Sequence, residues 1–239
     1  MKIFKYSKDR SLGVNIVYCI LSFLCLILFS GIIQIVLHTF IKNETVCNFI
    51  ANIIVIGILV LFYLKDLISE FKLYKSDAKN TFEKSLKYYA LGFMGMIFFN
   101  LLISVFLGGV SSNEEQVREM LFSSPITSLL SISIIAPISE ELIFRKSLQP
   151  VLKNKWVYIV VSGVLFGMAH LLTNILSGEF VLTDLFYLLP YGSLGSAFAL
   201  MDNETKTVFS SIVIHALHNT ATAILLLVLF KGGLLWEVN

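Results

Sequence analysis

Charge is scarce in this chain. Asp, Glu, Lys and Arg make up 14% of its 239 residues, where a soluble globular domain carries roughly 25%. Hydrophobic residues reach 56% and mean hydropathy is +0.83, so too little polar surface is left to coat a water-soluble fold. The few basic residues form no dense face, and a net charge of +2 argues against a nucleic-acid partner. Cysteine is nearly missing. Cys19, Cys25 and Cys47 are too few for a disulfide framework, and two of them lie inside an apolar run. No small-x-small cleavage site closes the apolar run from Gly13 to Phe40, which exceeds the about 7–15 residues of a signal-peptide core. It reads as an uncleaved first span. There is no internal repeat, no low-complexity tract and no linker long enough to divide off a second domain.

What the chain does have is apolar length. A spanning helix takes about 20 mainly apolar residues, and seven segments approach that criterion: 13–40, 49–64, 88–110, 126–148, 156–176, 182–200 and 208–230. The expected fold is all-α, a polytopic transmembrane helix bundle of about seven spans. Residues 1–122 hold the first three spans, residues 123–230 the last four, and the two parts form one integral membrane unit.

Lys and Arg fall unevenly between the connections. If the N-terminus is cytoplasmic, segments 1–12, 65–87, 145–155 and 201–207 hold four, six, four and one basic residues, 15 of the 18 in the chain. Only Lys42, Arg118 and Lys231 fall on the other side. Positively charged loops stay inside, which predicts an integral cell-membrane protein with its N-terminus cytoplasmic and its C-terminus outside. The Lys-rich segment 65–87 is amphipathic and is expected to lie along the inner surface, beside anionic lipid.

An ionisable group in hydrocarbon costs about 2.5–3.5 kcal/mol on insertion scales, so each one inside a span is a candidate for function. The first three spans offer only His38, near a span end. The fourth ends in Glu140, Glu141 and, four residues on, Arg145. Successive helical side chains diverge by about 100°, so the two carboxylates do not share one role. Glu141 and Arg145 have the favourable i, i+4 order for an ion pair, which leaves Glu140 free to accept a proton. Pro137 removes the backbone donor that would reach Ser133 and permits a bend just before the pair. The fifth span carries Phe166 and His170 on one face, with Gly163 and Gly167 spaced for close helix contact. The seventh carries Ser211, His215 and Asn219 in one stripe, a polar face that must meet polar partners inside a bundle.

A Glu and a His converging on water form a general-base pair, and the same types serve as metal ligands. His215 and Asn219 offer N–H donors toward an oxyanion. The signatures H-E-x-x-H and G-x-S-x-G are absent, and no Cys lies near these residues, so Ser or Cys nucleophiles are unsupported. Water-mediated hydrolysis is the reaction class these residues suggest. A proton relay or transporter is the rival use of buried Glu and His, but the ionisable residues gather in one half of the membrane instead of forming a path across it.

Taken in order, E-E-x-x-x-R (Glu140, Glu141, Arg145), F-x-x-x-H (Phe166, His170) and H-x-x-x-N (His215, Asn219) resemble the CPBP family, the CAAX prenyl endopeptidases and bacteriocin-processing proteins also called Abi proteins. The resemblance covers about residues 123–222 and extends to Ser124-Pro125, Ala136-Pro137 and the run from Tyr191 to Ser196. It implies an intramembrane endopeptidase acting on a peptide or membrane-associated protein near the cytoplasmic leaflet, with residues 123–230 as its catalytic bundle. In that reading Glu140 and His170 activate water, His215 and Asn219 stabilise the oxyanion, and Glu141, Arg145 and Phe166 support the site. Metal dependence stays open: a divalent ion such as zinc would draw on Glu140, His170 and His215. Oligomeric state and the need for a prenylated substrate are open as well. The alternative within the same family is a non-enzymatic membrane immunity or scaffold protein, against which every motif position here is filled.

Overall fold

The structure, a computed structural model, describes residues 6–108 and 111–231. Both chain termini, which the orientation expectation uses, and the last two residues of the expected third span lie outside the described residues. Within them the chain is all-helical. The long elements are α1 (Leu12–His38), α2 (Glu44–Ser76), α3 (Ala78–Phe106), α4 (Ser112–Ser123), α5 (Pro125–Lys146), α6 (Lys155–Ser177), α7 (Leu188–Thr205) and α8 (Val208–Lys231).

Local chemistry sets their ends. Asn43 caps α2 by accepting from the Val46 N–H at 3.0 Å, and Asn154 caps α6 through the Trp156 and Val157 N–H groups, the preferred role of Asn at a helix start. Pro125 opens α5, where a missing N–H costs nothing. Gly178, at φ +76°, closes α6 in the left-handed conformation that glycine adopts without a Cβ penalty.

Five helices, α1, α2, α3, α5 and α8, are long and apolar enough to cross a membrane. Five of the seven expected spans thus reach spanning length among the described residues. α6 contributes the shorter apolar run Lys155–His170. In α7 the expected span 182–200 gives way to a 3-10 turn at Leu182–Tyr187 followed by a helix displaced toward Thr205. Much of this helix is enclosed by protein, and its buried Asp202 accepts a hydrogen bond from Tyr158 Oη at 2.7 Å. Residues 65–87 also differ from expectation. No Gly or Pro interrupts α2 after Gly57, so the helix runs on through the lysines to Ser76, turns at Asp77 and returns as α3. At 33 residues α2 is about 50 Å long, and its Lys-rich end projects past a hydrocarbon core of about 30 Å.

Small residues decide how the helices pack. α7 lies between α3 and α6. A Cβ at Gly92 of α3 would strike Ala197 of α7, and one at Gly163 of α6 would strike Ser196. A Cβ at Gly167 would come within 3.1 Å of the Leu188 carbonyl. Backbones approach this closely only where side chains are missing, the usual glue of membrane helices.

α5 is not a regular helix. Residues Ser131–Ile135 and Leu142–Lys146 form π turns. In the first, the Ala136 N–H bonds the Ser131 carbonyl, so the Ile132 carbonyl would next look to residue 137, and Pro137 has no N–H. In the second, the Ser147 N–H reaches back to Leu142, and the Phe144 carbonyl takes a hydrogen bond from Ser162 Oγ of α6 at 2.7 Å. Both turns flank the Glu140–Glu141 pair.

Candidate active site

Glu140 and Glu141, side by side in α5, meet very different surroundings. The Glu141 side chain is fully buried, and its Oε2 lies 3.0 Å from Arg145 Nε, also fully buried. The contact is a charge pair more than an aligned hydrogen bond, since Glu141 Oε2 and the three guanidinium nitrogens make no aligned bond among the described residues. Aromatic faces surround the cation instead: the rings of Phe166, Phe198 and Phe144 lie 4.8, 5.6 and 5.9 Å from it, within cation–π range. Glu140 is 22% exposed.

His215 of α8 joins the two carboxylates. Its Nδ1 is 2.9 Å from Glu141 Oε1, and its Nε2 is 3.7 Å from Glu140 Oε2. The ring stacks on Phe198 of α7, with centroids 4.7 Å apart and an interplanar angle of 25°. Counting residues from the inner turn puts His215 shallower than Glu140; the structure brings them together because α5 and α8 pack directly on each other.

His170 sits one turn beyond Phe166 on α6. Its Nδ1 is 2.8 Å from the Phe166 carbonyl, and a carbonyl only accepts, so Nδ1 carries the proton and Nε2 is left outward. Tyr191 of α7 stacks on the imidazole at 4.1 Å and 18°, its hydroxyl held by Ser111 Oγ at 2.8 Å and Asn113 Nδ2 at 3.1 Å. Phe166 touches both imidazoles, with centroid distances of 4.6 Å to His170 and 5.7 Å to His215. No hydrogen bond or ion pair among the described residues links His170 to Glu140 directly; the nearer imidazole to Glu140 is that of His215.

Asn219, one turn past His215, donates from Nδ2 to the Ile132 carbonyl at 3.0 Å. This is the carbonyl that the π turn and Pro137 leave without a backbone donor. A second Nδ2 hydrogen remains for another acceptor. His218 faces away from this group, with Nδ1 2.9 Å from Tyr89 of α3, and His38 is an exposed partner of Glu44 at 3.9 Å.

Both anchored imidazoles have the orientation that metal-binding histidines adopt, with Nδ1 tied and Nε2 free. A metal also needs its ligands gathered, and among the described residues no group of three His, Cys, Asp or Glu side chains is placed to hold one. Glu140, His170 and His215 as they stand do not make a complete ligand set.

The motif residues thus form one cluster on α5, α6 and α8, closed by α7. The sequence profile of the type II CAAX prenyl endopeptidase Rce1-like family matches residues 122–221, the stretch that carries all of them. Residues 122–221 are thus similar to that family. A Bacillus subtilis (strain 168) protein, YdiL, provisionally named a membrane peptidase, is 30% identical to this chain over 122 residues, half of this chain and 45% of that protein. The chain therefore spans about half the length of the curated relative it matches. No solved structure matches it. The matched segment begins at the end of α4, so α1, α2 and α3 lie outside it.

Three participants were given no role from sequence, although Tyr191 opens a run that the family resemblance includes. Tyr191 and Phe198 stack on the two imidazoles from α7, and Ile132 contributes only a backbone oxygen. Aromatic residues are too common in an apolar chain to flag themselves. The Ile132 acceptor had a legible cause in Pro137, but nothing in the spacing named Asn219 as its donor.

Proposed function

We propose that this chain is an intramembrane endopeptidase that hydrolyses a peptide or membrane-associated protein near the cytoplasmic leaflet. The observation that carries the reading is the asymmetry around His215: it lies between a sealed, charge-compensated Glu141 and a reachable Glu140. One carboxylate is committed to holding the imidazole, and the other is left for chemistry.

The proposed course follows from those positions. Glu140, assisted by His170, takes a proton from a water as its oxygen attacks the scissile carbonyl carbon. The 3.7 Å between Glu140 and His215 is too long for a direct hydrogen bond and suits a water making bonds of about 2.8 Å to both. The carbonyl oxygen, now an oxyanion, is met by the free N–H of Asn219 and by the Nε2–H of His215 as imidazolium, its Nδ1–H staying on Glu141. Collapse of the tetrahedral adduct breaks the C–N bond, and the proton held by Glu140 passes to the leaving amine. Arg145 keeps Glu141 ionised, so that Glu141 goes on accepting from His215 Nδ1 and fixes the ring orientation, the part the buried carboxylate plays in Ser-His-Asp triads. No step requires a metal. A bound divalent ion would have to draw Glu140, His170 and His215 closer together.

The test compares membrane proteins and secreted peptides from cells carrying the wild-type chain, Glu140→Ala or His170→Ala. Peptides released by wild type are expected to disappear in both variants, with expression and membrane insertion unchanged. Chelator-treated membranes form a further arm, in which cleavage is expected to persist. Full cleavage in either variant would sink the catalytic assignment, and identical peptide profiles in all three strains would favour the non-enzymatic alternative.

A further inference from the structure

A second buried polar cluster lies below the active site, and the proposed chemistry does not use it. Its centre is Glu70 on α2, outside the matched segment. One carboxylate oxygen, Oε1, is bonded to Lys146 Nζ, on the last residue of α5. The other, Oε2, accepts from the backbone N–H of Val208 at 3.0 Å, the first residue of α8. The Glu70 carbonyl also accepts from Thr207 Oγ1 at 3.2 Å. The site is closed, with Lys146 4% and Glu70 16% exposed. Asp66, one turn earlier on α2, lies 3.9 Å from the same ammonium and is itself held by the Ser7 N–H and hydroxyl.

These bonds reach the two helices that carry the chemistry. Lys146 closes the π turn that follows Glu141, and Val208 starts the helix whose second turn bears His215. A carboxylate at a helix N-terminus both accepts an otherwise unpaired N–H and faces the positive end of the helix dipole. We infer that Glu70 is a positioning residue, a strut from the N-terminal helices that sets the register of α8 against α5 and so the reach of His215 to Glu141 and Glu140. A slip of one residue moves a helix by about 1.5 Å and turns it by about 100°, enough to break the 2.9 Å bond between His215 and Glu141. The consequence for catalysis rests on the proposed protease reading; the geometric claim does not.

The experiment therefore reads geometry first. The chain has four His, so 15N-histidine labelling of the purified protein in micelles gives few imidazole N–H signals. His215 Nδ1–H bonds to another helix, whereas His170 Nδ1–H bonds to its own and serves as internal reference. Glu70→Ala is expected to shift or broaden the His215 signal and leave that of His170 in place. Glu70→Gln, which keeps an oxygen for the Val208 N–H, is expected to fall between Glu70→Ala and wild type. An unmoved His215 signal in Glu70→Ala overturns the inference, and absence of rescue by Glu70→Gln overturns its capping half. Should Glu70→Ala fail to insert, Lys146→Met carries the test, because it releases the α5 arm and leaves the α8 cap; an unmoved His215 there is equally fatal. With a cleavable substrate, kcat in Glu70→Ala is expected to fall about tenfold or more with KM little changed. A displaced His215 in a protein whose wild type cleaves nothing would remove the protease reading and leave the strut standing. Lost cleavage with His215 in place would do the reverse.

Discussion

Arg145 is the residue on which the most electrostatic energy turns. It and Glu141 are both fully buried, 3.0 Å apart, and each compensates the charge of the other. Removing one member of such a pair leaves an uncompensated charge and costs about 3–5 kcal/mol. Arg145→Met, which keeps most of the packing against Phe166 and Phe198, is expected to destabilise the protein by that amount in a denaturant titration in micelles. Adding Glu141→Gln should recover part of the loss, because the orphaned charge is then gone. A single variant as stable as wild type would mean that Glu141 is held by His215 alone. The pairing was legible in sequence because i, i+4 partners are neighbours on any helix. The meeting of His215 with Glu141 was not, since 74 residues separate them.

Among the elements, α7 does what composition hid. It supplies the Tyr191 and Phe198 rings and Gly195, where an added Cβ would lie 2.9 Å from Phe166 Cβ and Cδ1. Phe166 has no free space to give, because it contacts both imidazoles and Arg145. Gly195→Ala is therefore expected to cost about 1–3 kcal/mol by overpacking and to lower cleavage by displacing the histidines. Gly57→Ala, on α2 with nothing within 4 Å of the new Cβ, is the control. It should be neutral, or stabilising by up to about 1 kcal/mol through helix propensity. Equal melting temperatures for the two variants would refute the packing argument. Gly163 and Gly167 announced a close helix contact by their spacing. Which helix would fill the gap depended on the displacement of α7 from the expected span.

For the whole molecule, the property to test is which way it faces. Lys146 and Glu70, Lys155 and Glu204, and Ser7 and Asp66 pair at one end of the bundle, where the α2–α3 turn also lies. From the positive-inside bias we propose that this end is the cytoplasmic one. In a variant lacking the native cysteines, Asp77→Cys is expected to resist a membrane-impermeant thiol reagent in intact cells, and Lys42→Cys to react. The opposite pattern would invert the topology and place the active site nearer the outer leaflet.

Composition and periodicity act over one helix or less. They were enough to name lipid as the solvent, helix as the secondary structure of the described residues, and the late spans as the carriers of Glu140, Glu141, His170 and His215. They did not name the buried Asp66 and part-buried Glu70 of α2. The fate of each charge depended on contacts between elements far apart in the chain. Only packing decided that Glu141 is sealed while Glu140 is reachable, that two rings of α7 clamp the histidines, and that Glu70 reaches Val208 across 138 positions. Such contacts arise from how small residues let helices approach and where π turns rotate side chains, and neither is a property of any single stretch of sequence.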